Sequence, residues 1–531
     1  MDKTPAFFNA NGSFGPGAKR NPYSNSAAEL LAHMNRLGIT KSLVWHTAAR
    51  DYNAVWGNKR LIEEIKAVGA ENRLIPSFTI SPVMLYEEGA MDALRKEMAI
   101  NRVRALRVFP GTLNHKLSHI EPVLEKICEL KPVLFFDCWD SLNTQELLSL
   151  AERFPDIPMV YMQGMWVHLV AILDLMRRRE NILVDTSWLH TPHTIEMIVE
   201  KFGARHLLFG TGYKSHNGAS LAALLHADIS ENDREFITHK NLETLLGLPQ
   251  NEKDAFSLVD TGGGSLWNKL KSGKNIDVDV IDAHGHLGPH STNIIEQGWV
   301  VEQVKQLIPI MDKMNIKTVI VSGMQALFTE AMEGNRSLEE SLRPFKGRFL
   351  GYVGFNPQNG KELIPHLDEL FSRDFFIGFK LHCSSWEVPL TDPGFKPVWE
   401  YADKHRLPIL MHTWEGNYDS PALLHEIAPK FPDATFIVGH SGGGDKGRRE
   451  AEALALENRN VILEFCGSFT STIPYEETIE KIGNDRIVFG TDAMFHNPVW
   501  EIGRALSMNL PDEMLNPIMG ENMRRILSLR R

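Results

Sequence analysis

Short apolar runs recur at a steady spacing along the second half of the chain. They read VDVIDA (278–283), KTVIVS (317–322), RFLGYVG (348–354), FIGFKLH (376–382), PILMH (408–412), TFIVGH (435–440), VILEFC (461–466) and IVFGT (487–491). Between them lie stretches with helical periodicity, such as 301–315 (VEQVKQLIPIMDKMN) and 396–405 (KPVWEYADKH). Near-continuous apolar strands alternating with amphipathic helices predict a parallel sheet covered on both faces. Eight such units in about 250 residues predict a (β/α)₈ barrel. No Gly-rich phosphate loop follows the first strand, which disfavours an open doubly wound sheet.

The same pattern exists twice. Asn9 to Pro16 (NANGSFGP) matches Asp282 to Pro289 (DAHGHLGP), and RALRVFPG (104–111) lies at the same offset from IGFKLHCS (377–384). KPVLFFDCWD (131–140) parallels LPILMHTWEG (407–416), and RFPDIPMVYMQG (153–164) parallels KFPDATFIVGHS (430–441). NILVDTSW (181–188) parallels NVILEFCG (460–467), and RHLLFGTGYKSHN (205–217) parallels DRIVFGTDAMFHN (485–497). Blocks in one order with slowly drifting offsets indicate a tandem duplication. The expected organisation is two tandem (β/α)₈ TIM-like barrels, residues 1–250 and 276–531, joined by a Gly-, Ser- and Lys-bearing linker over 251–275.

Composition changes this picture little. Of 531 residues 43% are hydrophobic and 23% charged, and the net charge of -11 is mild for the length. No basic patch marks a nucleic-acid binder, and no apolar run has bilayer length. Cys128, Cys138, Cys383 and Cys466 form no CxxC pair and fit a reducing compartment. The start Met-Asp-Lys lacks a signal-peptide core. The expectation is a cytoplasmic protein with a small-molecule substrate, without nucleic-acid or membrane partners.

The chemistry collects at strand ends of the second half, where a barrel builds its site. His284 and His286 are two residues apart, so in an extended segment both imidazoles share a face. His412 ends the fifth strand, His440 the sixth, and Asp492 follows the eighth. Each alone would pass for a satisfied polar core residue; five in order would not. Imidazole and carboxylate suit Zn²⁺, with Mn²⁺, Fe²⁺ or Ni²⁺ as alternatives.

The blocks IDAHGHLG, GFKLH, PILMHT, VGHSGGG and FGTDA, in this order over about 278–531, resemble the amidohydrolase superfamily, in its amidohydrolase-2 branch of metal-dependent hydrolases and decarboxylases. The resemblance implies that His284, His286, His412 and Asp492 hold one divalent metal. It implies that Asp492 accepts a proton from the activated water, and that His440 orients and activates that water or binds a second ion. Metal binding lowers a water's pKa from about 15.7 to about 7, and a carboxylate beside it can pass the proton to a leaving group. Some relatives carry a carboxylated lysine at the end of strand four. If Lys380 is so modified, two ions are bound; if not, Lys380 is a point charge for a substrate carboxylate. His382 and Trp414 are further candidates for the substrate pocket, as are Trp386 and Phe495. Lys380, Arg448 and Arg449 suggest an anionic substrate. The expected reaction is hydrolysis of a carbonyl-type substrate, with non-oxidative decarboxylation of an aromatic or enol acid as the alternative.

At these positions the first half differs. Asn11 replaces His284, Ser13 replaces His286, Gln163 replaces His440 and Gly212 replaces Asp492. Phe136 or Asp137 stands for His412, and Arg107 for Lys380. Residues 1–250 are expected to keep the barrel without a catalytic metal. Many relatives work as dimers, so an intrachain pseudo-dimer is expected, with further homo-oligomerisation open. Arg107 or Arg177 to Arg179 are candidates to complete the second site or bind an anion. Glu464 and the pair His496-Asn497, which recurs as His216-Asn217, read as structural.

Overall fold

A computed structural model describes residues 6–18, 24–212, 217–249, 264–291, 298–469 and 471–530. The chain divides into two compact units, Met1–Gly263 and Gly264–Arg531. In the first, eight parallel strands pair in sequence order: β1 Phe8–Phe14, β2 Lys41–His46, β3 Leu74–Thr79, β4 Ala105–Val108, β5 Val133–Asp137, β6 Met159–Met162, β7 Ile182–Asp185 and β8 Leu207–Leu208. The second repeats this with β9 Val280–Leu287, β10 Ile316–Gly323, β11 Phe349–Gly354, β12 Phe376–Leu381, β13 Pro408–His412, β14 Thr435–Gly439, β15 Val461–Glu464 and β16 Ile487–Val488. The first and last segments meet through Ala10 N to Phe209 O at 2.8 Å and Ala283 N to Phe489 O at 2.9 Å. Both units are therefore (β/α)₈ barrels. No helix among the described residues is long and apolar enough to cross a membrane.

Each barrel is filled from its own strands. Phe8, Ala10, Leu43, Ala105, Val133, Phe135, Val160, Met162, Leu183 and Leu208 make the first interior. Ile281, Ala283, Ile320, Tyr352, Ile377, Leu410, Ile437, Ile462 and Val488 make the second. Helices pack outside with the periodicity read from the sequence; Lys396–His405 is one and Val300–Lys313 another.

The two units share hydrogen bonds as well as topology. Asn181 Nδ2 donates to the carbonyls of Ala151, Phe154 and Ile157, and Asn460 Nδ2 to those of Ala428, Phe431 and Ala434. Asn58 exchanges two bonds with the backbone of Thr79, and Asn335 does the same with Gly354. A π turn precedes Asn241 in one unit and Asn522 in the other, and each of these amides donates to two carbonyls. Replacing such an amide would leave buried carbonyls without a donor, which makes it costly in either barrel.

The connector needs correction. Residues 250–263 lie outside the described set, but Ser265–Lys271 form a helix of the second unit, buried through Leu266, Trp267 and Leu270. Asp512 caps it, accepting from Ser265 N at 2.8 Å and Leu266 N at 3.3 Å. Glycine- and lysine-rich flanks conceal this short amphipathic helix. The first strand of the second barrel also runs further than its apolar pattern, so His284 and His286 lie within β9 rather than beyond it.

Asn460→Ala should lower the unfolding free energy of the second unit by about 1–3 kcal/mol, and Asn181→Ala that of the first. Chemical denaturation checks this; unchanged midpoints would show that these bonds contribute nothing.

Candidate metal centre

Strict alternation cannot bring both His284 and Ala283 to the interior. The register supplies the answer: Asp282 pairs with Val319 and Gly285 with Val321, so β9 carries one extra residue. This bulge resets the alternation. Ile281 and Ala283 face the core below, and His284 and His286 face the mouth above. β1 holds the same irregularity between Asn9 and Gly12. Asp282 fixes the bulge by accepting from His284 N and Thr491 N at 3.0 Å each. Asn9 does likewise for Asn11 N and Thr211 N, also at 3.0 Å.

Three donor atoms converge at the mouth of the second barrel. His284 Nε2 lies 3.2 Å from His286 Nε2. Asp492 Oδ1 lies 3.1 Å from His286 Nε2 and 3.6 Å from His284 Nε2. Bonds of about 2.0–2.2 Å to one ion would set neighbouring donors roughly 3.0–3.6 Å apart, so this triangle fits a divalent metal. Asp492 sits in left-handed backbone, φ 59°, and its N–H donates to His284 O at 2.7 Å.

Each imidazole is oriented from behind. His284 Nδ1 faces Glu464 Oε2 at 2.8 Å, His286 Nδ1 faces Ser322 Oγ at 2.8 Å, and His412 Nδ1 faces Asp419 Oδ2 at 2.8 Å. His440 Nδ1 donates to Cys466 O at 2.7 Å. With Nδ1 occupied by acceptors, the Nε2 lone pairs point into the mouth, where a cation can be held. Burial, reinforced by neighbouring cations, holds His284 and His440 far below the usual histidine range, in the neutral form that binds metals. Burial would raise Asp492, but the contact with His286 and the surrounding imidazoles hold it well below the carboxylate range.

Not every expected residue joins this triangle. His412 stands beside it, its ring 4.7 Å from that of His440 and stacked at 4.3 Å on His382. His440 instead groups with His284 and Cys466. Lys380 is fully buried, and burial lowers it to about 8. Its Nζ lies 2.7 Å from His284 Nε2. Rings form a continuous arc around the mouth: Phe495 to His290 at 5.6 Å, His290 to Phe328 at 4.9 Å, Phe328 to His382 at 5.7 Å, then His412 and Trp414. Trp386 lies elsewhere, buried with its Nε1 on Leu327 O. Arg448 is consumed by Glu452 and Glu477 and is no substrate cation. Ser322, Asp419 and Glu464 carried no metal signal in the sequence. Only Asp419, seven residues after His412, lies near its partner in the chain.

Glu501 and Arg504 secure the loop after β15. Arg504 donates to Phe465 O and Ser468 O, and Glu501 accepts from Gly467 N and pairs with His496. Asn497 caps the helix Pro498–Leu506 through Val499 N, as Asn217 caps Ala219 N, so this part of the repeated pair is structural; His216 lies outside the described residues.

In the first barrel, Asp137 ends β5 and pairs with Met162 as His412 pairs with Gly439, so Asp137 is the counterpart of His412. Arg107 reaches across the interior. Its guanidinium donates to Ala10 O at 2.7 Å and Asn11 Oδ1 at 3.1 Å. Buried there, it does not extend outward to complete another site. Arg177 and Arg178 pair with Asp174, and Arg179 with Glu152.

The amidohydrolase family model matches residues 2–248 and again 281–529. Similar solved structures include 5-carboxyvanillate decarboxylase from Sphingomonas paucimobilis (12% identity, 48% of this chain and 99% of that one, TM-score 0.38). Another is dihydroxybenzoic acid decarboxylase from a Polaromonas species with bound manganese and 2-nitroresorcinol (18% identity, 48% and 98%, TM-score 0.38). A third is a putative amidohydrolase from Staphylococcus aureus (15% identity, 47% and 99%, TM-score 0.38). Comparison with curated proteins gave no match.

One pH dependence follows from the first barrel. Burial raises Asp185 to about 6, against the pull of Ser187, Gln163 N and Arg107. A carboxyl raised in the folded state contributes stability below its unfolded value of about 4, and loses it as pH rises through about 6. The stability difference between wild type and Asp185→Asn should fall by about 2–3 kcal/mol from pH 4 to pH 7. Denaturation at both pH values checks it; a constant difference would show that Asp185 does not titrate there.

Proposed function

The chain belongs to the amidohydrolase family in both of its halves, and from this premise we propose that the second barrel is a divalent-metal-dependent hydrolase. The observation that carries the reading is the triangle of His284 Nε2, His286 Nε2 and Asp492 Oδ1, with sides of 3.1 to 3.6 Å. These three atoms would hold the ion, with His412 as the further ligand. Two nitrogens and an oxygen suit Zn²⁺, and the same set accepts Mn²⁺, Fe²⁺ or Ni²⁺. An ion held there supplies Lewis acidity, which lowers a water's pKa toward about 7 and polarises a carbonyl oxygen.

The chain's own groups do the rest. Asp492, kept ionised by its imidazole neighbours, accepts a proton from the attacking water and hands it to the leaving group. His440 has its proton on Nδ1, directed at Cys466 O, so its Nε2 is a proton acceptor. Lys380 is a buried cation beside these donors and binds a substrate carboxylate. The arc of rings from Phe495 to Trp414 packs against a flat, unsaturated group. Phe328 and Trp414 are part-exposed, leaving the arc open to solvent.

That arc, with Lys380, favours a second reading: non-oxidative decarboxylation of an aromatic or enol acid. The substrate carboxylate departs as carbon dioxide, and the bonding pair left on carbon takes a proton from an acid of the site.

The first barrel we read as metal-free. Arg107 already brings a fixed cation to its interior, and Asn11, Ser13, Gln163 and Gly212 offer no strong ligand.

Metal analysis of chelator-treated, zinc-reloaded protein should give one ion per chain, or two if Lys380 is carboxylated. His284→Ala and Asp492→Asn should lose it, with activity falling about 100-fold or more. Lactones, amides and esters followed for carboxylate formation, and aromatic and enol acids followed for carbon dioxide, separate the two reactions. Full activity after metal removal, or an ion retained by both variants, would refute the metal centre.

A further inference from the structure

Resting on the reading of His284 as a metal ligand, we propose that Glu464 is a positioning residue that fixes the His284 tautomer and thereby gives this imidazole a lone pair to offer. Glu464 is fully buried at the end of β15. Its Oε2 meets His284 Nδ1 at 2.8 Å, Cys466 Sγ at 3.1 Å and His440 N at 3.3 Å, and its Oε1 accepts from Cys466 N. Two of these partners are backbone N–H groups and one is a thiol, all donors. A carboxylate, which only accepts, leaves the imidazole as the fourth donor. On the far edge of the ring, Lys380 Nζ stands 2.7 Å from Nε2, and an ammonium only donates. Cys466 Sγ also lies 3.2 Å from Nδ1 but directs its proton at Glu464, so both edges specify one tautomer, with the proton on Nδ1 and the lone pair on Nε2, the atom nearest His286 and Asp492.

The duplication separates this role from a purely structural one. Asp185 is the counterpart of Glu464, and its Oδ1 accepts from Gln163 N at 2.7 Å as Glu464 accepts from His440 N. Gln163 and His440 share left-handed backbone, φ 58° and 62°, so an acid at this position holds the turn in both barrels. In the first barrel Asn11 replaces the histidine, and its amide oxygen accepts from Arg107. The shorter acid suffices where there is no ring to orient. The extra methylene of Glu464 carries its carboxylate to His284.

Glu464→Gln is nearly isosteric but cannot accept at both ends. If its NH₂ faces Cys466 N, two donors oppose each other. If it faces His284, it donates to Nδ1 and drives the ring proton onto Nε2, where the lone pair is needed. Glu464→Asp instead reproduces the acid of the first barrel, keeping the bond to His440 N while withdrawing from the ring. Competition between full-length protein and a chromogenic chelator for Zn²⁺ should show affinity lowered about 10- to 100-fold in both variants. Glu464→Asp should do so with a melting temperature close to wild type. In metal-free, ¹⁵N-histidine-labelled protein, with the His284 signal assigned by its loss in His284→Ala, wild type should show Nδ1–H and Glu464→Gln should shift toward Nε2–H. Unchanged zinc affinity in both variants, affinity lost only in step with fold, or Nε2–H in wild type would overturn the proposal. Failure of wild type to take up zinc would instead remove the metal-centre reading, leaving the tautomer signal as the test of Glu464.

Discussion

An imidazole buried in a barrel mouth has two nitrogens, and only one can face the chemistry. The second site depends on how the other is occupied. Behind His284, His286, His412 and His440 stand Glu464, Ser322, Asp419 and the Cys466 carbonyl, each 2.7 to 2.8 Å from Nδ1. Without these acceptors nothing on the Nδ1 side would fix the tautomer of each ring. Much of the surrounding structure serves these four contacts. The β9 bulge lifts His284 and His286 to the mouth, and the Glu501–Arg504 pair holds the loop that presents the Cys466 carbonyl.

The two barrels form an internal control on what belongs to the fold and what belongs to the site. The bulge of the first strand, the amide clamps of Asn181 and Asn460, the left-handed residue after the sixth strand and the acid ending the seventh occur in both. These features set strand register and satisfy buried backbone, and a barrel needs them whether or not it catalyses anything. His284, His286, His440 and Asp492 occur in one half only, replaced in the other by residues of similar or smaller volume.

Much of this was legible in the sequence, for identifiable reasons. Apolar strands buried on both faces write their own periodicity, so the eight-fold pattern and its repetition could be read directly. His284, His286, His440 and Asp492 stood out because histidine and aspartate at strand ends are poor core fillers. The bulge was not legible: an added residue in a strand changes no composition, only phase. Glu464 read as structural because a lone acid in a strand has no local signature, and its imidazole partner lies 180 residues away. The helix at Ser265–Lys271 escaped because its cap, Asp512, is remote as well. For Glu464 and the Asp512 cap, distance in sequence rather than weakness of interaction hid the contact.

Arg107 shows how a barrel adjusts once its ligands change. Asp137 and Asp185 remain in the first interior, and buried carboxylates without a cation are costly. Lys380, at the same position in the second barrel, is a compact charge that ends beside His284. Arginine is longer and carries a fork of donors, so it can span from β4 to Ala10 and Asn11 on β1 while its face lies 5.1 Å over Phe135. A cation that arrives with the chain cannot be exchanged and offers no Lewis acidity. It offsets the charge of Asp185 and ties β4 to β1 across the interior.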